Sequence, residues 1–504
     1  MNSPFALVVF GATGDLAQHK LAPALFSLFE QKRIGGQFFI VGFSRRGFTN
    51  EEFRSLVYDT IKQQGGNQNQ KDWEEFAKNI YYQEGLFNEK KGYEELIDKL
   101  NQFDRKMGAC ITRLFYLATP PDHYQTILDF LDKTKLSEGC GQGSNKWTRL
   151  IIEKPFGKDL KTARLLDKKL VEIFEEKQIF RADHYLGKET VQNILTFRFA
   201  NGIFEPIWNK SYIDHIQITW AEKKGIGSRG KFFDGVGLLR DVAQNHLLQL
   251  IAAVAMEQPK SFSKEGVRDA RSAAIKAIRC IEPQHVDEFV VRGQYEGYRN
   301  EKDVKKDSTT ETFVAMKLFI DTSRFENVPI FIRAGKKMPK DVVEISIVFI
   351  QTCHLLFKEF GCPEEGNILR IRIQPDEGIG IRVIAKKPGA KLALETIDLK
   401  FSYKEHFRDV VSDAYEKILL DIFSGDQMLF NRSDELESSW TFITKILKGW
   451  SRSVRYDQES TLRLRPAPSG AGLRSGQGIK SYESGTWGPK EANELIEKDN
   501  RKWL

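Results

Sequence analysis

Three side chains able to donate to a phosphate monoester crowd, with a carboxylate, into one short run of the chain. Asp183, His184, Tyr185 and Lys188, within Arg181-Ala182-Asp183-His184-Tyr185-Leu186-Gly187-Lys188-Glu189, supply a carboxylate, an imidazole, a phenol and an ammonium. Donors of this kind suit phosphate oxygens, and charge-assisted bonds to them are the strong ones. Upstream, Lys154 stands in Glu153-Lys154-Pro155-Phe156-Gly157, directly after an apolar strand over 150–152. That puts an ammonium at the carboxyl end of a strand, where ligands of open α/β sheets sit. Farther on, Asp241 and His246 fall in Arg240-Asp241-Val242-Ala243-Gln244-Asn245-His246-Leu247, inside a stretch that reads as one helix over 238–256. A histidine there is either a proton acceptor or a satisfied core residue, since by position it shares a face with Val242, Ala243 and Leu250. At about 100° per residue Asp241 and His246 stand roughly 140° apart, so they line a common site only from its flanks.

A second chemistry lies near the amino terminus. An apolar strand over 7–10 feeds Gly11-Ala12-Thr13-Gly14-Asp15-Leu16-Ala17 and then an amphipathic helix. This geometry sets a pyrophosphate on a helix amino terminus, where unpaired N–H groups and the helix dipole favour anions. Gly11 allows the tight turn, Gly14 lets backbone approach phosphate, and Ala17 is small enough for helix-on-sheet contact. The second strand ends Val41-Gly42-Phe43-Ser44-Arg45-Arg46, where an NAD enzyme usually carries an Asp or Glu for the ribose 2'-hydroxyl. A guanidinium there suits a 2'-phosphate instead, so NADP is expected over NAD.

The elements that must position these groups follow from the apolar pattern. Strand-like runs over 6–11, 38–43, 113–119 and 149–153 alternate with helical ones such as 16–30 and 51–63, which implies a parallel, doubly wound sheet. Beyond about residue 190 the pattern changes to a long helix and then extended runs over 313–320, 328–333, 343–350 and 368–374. The expected fold is therefore a Rossmann-like dinucleotide-binding domain over 1–187 followed by an α+β domain over 188–504 with a large, mainly antiparallel sheet. Residues 299–311 read as an exposed polar loop, and 466–479, rich in Gly, Pro and Ser, as a connection.

Composition narrows the class. The 504 residues are 41% hydrophobic and 29% charged, a globular balance, and no run of about 18 apolar residues could span a bilayer. A net charge of +7, spread along the chain without a basic stripe, gives no nucleic-acid footprint. The residues before the first strand carry no signal-peptide pattern, so a cytoplasmic protein is expected. The five cysteines, at 110, 140, 280, 353 and 362, form no CxxC pair and no metal-spaced cluster, so free thiols and no structural metal are expected.

Taken in order, these residues resemble the glucose-6-phosphate dehydrogenase family. Gly11 to Ala17 is similar to its GxxGDLA turn, Glu153 to Gly157 to EKPFG, Asp183 to Glu189 to DHYLGKE, and Asp241 with Gln244-Asn245-His246 to RDVxQNH. Arg333-Ala334-Gly335-Lys336 is similar to RxGK, Asp413-Ala414-Tyr415-Glu416 to DAYE, and Arg432-Ser433-Asp434-Glu435-Leu436 to RSDEL. The resemblance implies oxidation of glucose 6-phosphate to the 1,5-lactone with NADP, with His246 as general base and Asp183 holding its imidazole. It implies His184, Tyr185 and Lys188 on the 6-phosphate, and Glu222, Asp241, Lys336 and Lys340 around the sugar. Lys154 then lies between sugar and cofactor, Arg45 on the 2'-phosphate, and Gly11, Thr13, Gly14, Asp15 and Leu16 along the dinucleotide. A homodimer through the second domain's sheet, often a dimer of dimers, is implied as well. The chain departs from the pattern at Gln18-His19-Lys20, Ala22, Ala182 and the loop from Ser228 to Asp234, changes that bear on affinity and cofactor ratio. A sugar oxidoreductase of the glucose-fructose oxidoreductase kind shares Glu153-Lys154-Pro155 but does not require His184, Tyr185 and Lys188. An inactive homologue kept for binding would normally lack the base or the phosphate lysine, and both are present.

Overall fold

The computed structural model describes residues 4–35, 37–64, 69–139, 148–407, 413–461 and 478–504, with backbone alone at 452–461. Cys140 and most of the 466–479 connection lie outside the described residues. The chain forms two compact units: Met1–Lys188 with Ser261–Arg268 and Ser412–Leu436, and Glu189–Lys260 with Asp269–Val411 and Glu437–Leu504.

In the first unit, strands β1 (Phe5–Phe10), β2 (Phe38–Ser44), β3 (Ile80–Glu84), β4 (Thr112–Leu117), β5 (Thr148–Glu153) and β6 (Ile179–Ala182) form a parallel sheet. Its order is β6-β5-β4-β1-β2-β3, and the short strand Phe430–Asn431 closes the β6 edge antiparallel. Chain direction across the sheet reverses between β1 and β4, the switch point at which such sheets bind ligands. Every residue of β1 and β2 is buried, as expected for a parallel sheet covered on both faces. Two apolar layers do the covering, one of them completed by Ile418, Leu419, Ile422, Phe423 and Phe430 from the returning segment 413–436. Arg149 fastens that segment by donating to the Ile422 and Phe423 carbonyls at 2.5 and 2.8 Å, the last turn of helix Ala414–Ser424.

The second unit is built on strands β7 (Ile213–Ala221), β8 (Val290–Tyr295), β9 (Phe313–Leu318), β10 (Ile330–Gly335), β11 (Val342–Phe349), β12 (Ile368–Gln374), β13 (Gly378–Lys386), β14 (Leu394–Ser402) and β15 (Lys480–Tyr482). Their order is β14-β13-β12-β11-β7-β10-β9-β8-β15, antiparallel except for the β7–β10 and β8–β15 pairs. The expected mainly antiparallel sheet is thus present. Its central strand β7, however, was not among the runs singled out, although Ile213, Ile216 and Ile218 mark it.

Three local expectations need correction. The stretch 238–256 is a π-helix over Leu239–Leu247 that continues as an α-helix over Leu248–Ala255. The segment 299–311 is not uniformly exposed: Ser308, Thr310 and Glu311 are buried, and the Glu311 carboxylate accepts from the Leu239 N–H at 3.0 Å, capping that helix. Burial raises the Glu311 carboxyl above its usual range. The thiols are not all free, for Cys353 and Cys362 are disulfide-bonded, and Cys110 is disulfide-bonded too. Cys353 and Cys362 lie in the connection between the antiparallel strands β11 and β12, with Cα atoms 6.0 Å apart, a proximity that no CxxC spacing announces.

Candidate active site

In the first unit the turn after β1 is shaped by steric exclusion. Gly11 has φ +82°, and a Cβ there would lie 2.7 Å from the Ala118 carbonyl oxygen and 2.8 Å from Thr119 Cγ2. Gly11 N–H donates to the Phe43 carbonyl and Gly14 N–H to the Gly11 carbonyl, each at 2.9 Å. Thr13 Oγ1 meets Ser44 Oγ at 3.0 Å, joining the turn to the end of β2. Gln18, a departure from the family pattern, is buried and donates to the Ala12 carbonyl at 2.6 Å while accepting from Thr60 at 3.1 Å. It thereby ties the turn to helix Asn50–Gln63. Ala17 is buried in the apolar layer, whereas Asp15 is exposed and Leu16 half-buried. Arg45 and Arg46 are exposed beyond β2. The donor set and the close backbone approach fit a dinucleotide with an extra phosphate.

At the end of β5, Glu153 is buried and accepts from the Tyr116 hydroxyl at 2.5 Å, and its backbone carbonyl accepts from Tyr124 at 3.0 Å. Desolvation, with Asp183 adding to it, pushes its carboxyl up to about 7 in spite of bonds from Tyr116 and Tyr415 and the charge of Lys154. Lys154, half-buried, begins the turn that ends at Gly157, φ +95°, where a Cβ would meet Ala163 N at 2.6 Å. After β6, Asp183 is fully buried and accepts from the Tyr185 N–H at 3.0 Å, which orients the turn carrying His184. The His184 ring stacks on Tyr415 at 5.9 Å between centroids, and Lys188 Nζ lies 4.9 Å over the Tyr185 ring. Arg181, also fully buried, belongs elsewhere, pairing with Asp167 at 2.6 Å and Glu176 at 2.8 Å.

In the second unit His246 is 1% exposed and stacks parallel to Trp220, ring centroids 5.4 Å apart and planes 3° from parallel. Bonding from i to i+5 turns a helix less per residue than an α-helix, so Asp241 and His246, five apart, lie closer to a common face than an α-helix would place them. The flank-only geometry expected of an α-helix does not hold. Asn245 stabilises the bulge: its Nδ2 donates to the Asp241 carbonyl at 3.2 Å and its Oδ1 accepts from His246 N–H at 2.6 Å. Asp241 pairs with Arg229 at 3.4 Å, and Lys336, buried at the end of β10, holds Glu222 at 2.6 Å. Glu222 also accepts from Trp220 Nε1 at 3.0 Å. Lys340 stands apart, exposed, with its Nζ 5.6 Å over the Trp487 ring.

Sequence reasoning missed Tyr116, Tyr415, Gln18 and Trp220. Tyr415 had a signal in Asp413-Ala414-Tyr415-Glu416, quoted without a role. Trp220 had the alternation of β7.

Comparison with known proteins agrees along the whole chain. Residues 8–193 match the family described as "Glucose-6-phosphate dehydrogenase, NAD binding domain", and residues 195–504 its "C-terminal domain". The chain is similar to the glucose-6-phosphate 1-dehydrogenases of Chlamydia pneumoniae, 41% identical over 99% of this chain and 96% of the relative, and of Borreliella burgdorferi, 39% identical over 99% and 98%. Among solved structures it is similar to a glucose-6-phosphate dehydrogenase in complex with its substrate glucose-6-phosphate, TM-score 0.87 and 33% identity over 100% of this chain and 99% of the other. The glucose-6-phosphate 1-dehydrogenase of Mycobacterium avium superposes with TM-score 0.82 and 32% identity, over 100% of this chain and 99% of that one. A Rossmann-ordered sheet, a glycine turn at its switch point and a buried histidine on a π-helix thus occur in a chain that belongs to the glucose-6-phosphate dehydrogenase family.

Proposed function

We propose that the chain oxidises D-glucose 6-phosphate at C1 to 6-phospho-D-glucono-1,5-lactone with NADP+, the first step of the oxidative pentose phosphate pathway. The observation that carries this is the buried His246 on its π-helix, in a chain that matches a substrate-bound family member over its whole length. NADP+, when bound, supplies the hydride acceptor. The protein must remove the C1 hydroxyl proton in step with hydride loss, which calls for a base within hydrogen-bond reach.

In this reading His246 takes that proton and Asp183 orients its imidazole and offsets its positive charge. His184, Tyr185 and Lys188 hold the 6-phosphate. Glu222, Asp241 and Lys336 hold sugar hydroxyls, with Lys340 at the margin and Lys154 between sugar and cofactor. Gly11, Thr13, Gly14, Asp15 and Leu16 hold the dinucleotide and Arg45 its 2'-phosphate, which favours NADP over NAD. Residues 1–187 thus carry the cofactor together with Lys154, Asp183, His184 and Tyr185, and 188–504 the rest of the sugar site and the assembly surface.

A homodimer, alone or paired into a dimer of dimers, is part of the same proposal. Its support is Ile397 and Leu399, 48% and 57% exposed on β14, with Leu392 beside that strand, an apolar edge of the kind that partners cover. A cytoplasmic setting is proposed because both reactants are phosphates that membranes retain. Among the described residues no helix is long and apolar enough to cross a membrane.

The test is absorbance at 340 nm with glucose 6-phosphate and either NADP or NAD, for the wild type and His246→Asn. Activity that prefers NADP and falls about 10³-fold or more in the variant is the expected result. Equal rates with unphosphorylated glucose would remove the phosphate role of His184, Tyr185 and Lys188.

A further inference from the structure

We propose that Trp220 is a positioning residue for proton removal, fixing the plane of the His246 imidazole and stabilising its protonated form. This rests on the reading of His246 as the base.

Three observations combine. The two rings are parallel to within 3° at 5.4 Å, and both are buried, Trp220 to 3% exposure. A histidine has two side-chain torsions, and a flat indole against one face blocks rotation of the ring out of its plane. The indole is itself held from both sides. Trp220 lies in the central strand β7, opposite Ala334 of β10 and Val343 of β11, so its backbone is bonded into the middle of a nine-stranded sheet. Its Nε1–H donates to Glu222 at 3.0 Å, and Lys336 holds the other Glu222 oxygen at 2.6 Å. A group mounted on a strand with a second layer of bonds is held more closely than one on a loop.

The same stack has an electrostatic effect. When the imidazole takes a proton, positive charge develops over the electron-rich indole face, an attraction that is strongest for Trp and for desolvated partners. Two of the charges on the surrounding elements are paired with others nearby, Glu222 with Lys336 and Asp241 with Arg229. The indole therefore adds to the offset of positive charge assigned to Asp183, and it favours the cation.

The test compares Trp220→Leu, which keeps the site apolar but removes the aromatic face, with Trp220→Phe, which keeps a face but loses the N–H. In Trp220→Leu, kcat is expected to fall about tenfold with KM for NADP unchanged, and the acid limb of kcat/KM to move down by about half a pH unit or more. Loss of an attraction for the cation lowers the pKa, whereas simple water entry would raise it by relieving burial. Trp220→Phe is expected to restore both to within about threefold of wild type. Trp220→Met carries the same expectation as Trp220→Leu if the latter is insoluble. Wild-type kcat and acid limb in Trp220→Leu or Trp220→Met overturn the proposal, as does a loss of kcat with an unmoved acid limb that Phe does not rescue. Activity retained by His246→Asn would instead overturn the base assignment on which it rests.

Discussion

The turn after β1 and the π-helix of the second unit solve the same problem with opposite materials. The turn offers backbone: Gly11 and Gly14 leave space for close approach, while the charged side chains nearby, Asp15, Arg45 and Arg46, are exposed. The π-helix and the strand ends beside it offer buried side chains, His246, Trp220 and Lys336, each fixed by a named neighbour. Phosphates are bulky, multiply charged and tolerant of donor type, so a shaped backbone suffices. Taking the proton of one hydroxyl needs a group placed within about 0.5 Å, which side chains locked by packing and bonds supply.

This contrast breaks if the second unit tolerates loss of a buried partner. Lys336→Met leaves Glu222 without its ammonium, and kcat/KM for glucose 6-phosphate should drop roughly a hundredfold at unchanged KM for NADP. Steady-state kinetics decide, and a change confined to NADP would reverse the assignment of that face. The complementary change is Gly11→Val. With φ at +82° and a Cβ 2.7 Å from the Ala118 oxygen, strain of about 1–3 kcal/mol should weaken NADP binding some tenfold to a hundredfold. Calorimetric titration that finds wild-type affinity would show that the turn has room to spare.

The smallest effect concerns Glu153, a buried side chain of the first unit fixed by named neighbours. Its folded carboxyl sits at about 7, above an ordinary value of 4.5, so between those values the folded state binds more protons than the unfolded one. Stability from this group is full below about 4.5 and is lost as pH rises through 7, up to roughly 3 kcal/mol. Thermal melts of wild type and Glu153→Gln should therefore diverge with pH across that window, the variant gaining relative to wild type as pH increases. Parallel melting curves would mean that the carboxyl titrates as in water.

What could be read in advance follows the range of the interactions. The β1 turn was legible because its glycines, its strand and its helix are contiguous. Asp183 to Lys188 was legible for the same reason. The Trp220–His246 stack was not, because it depends on β7 pairing between β10 and β11, which come more than a hundred residues later. Tyr415 reaches His184 only through the return of residues 413–436 to the first unit. The π segment was hidden because an α-helix and a π-helix share the same apolar run, and the choice here is accompanied by Asn245 bonding to carbonyls of its own helix. The Cys353–Cys362 bond likewise lies in the connection between β11 and β12, and no CxxC spacing announces it.

That return of residues 413–436 bears on biosynthesis. A ribosome that has delivered the first 188 residues has made every parallel strand of the nucleotide-binding unit. It has not yet made Ile418, Leu419, Ile422, Phe423 or Phe430, which complete one apolar layer, nor the strand that closes the β6 edge. Until those residues emerge, the nascent unit presents a bare edge and a greasy face, the features that invite aggregation and draw chaperones. An expression fragment cut at the apparent end of that unit would inherit the same defect permanently.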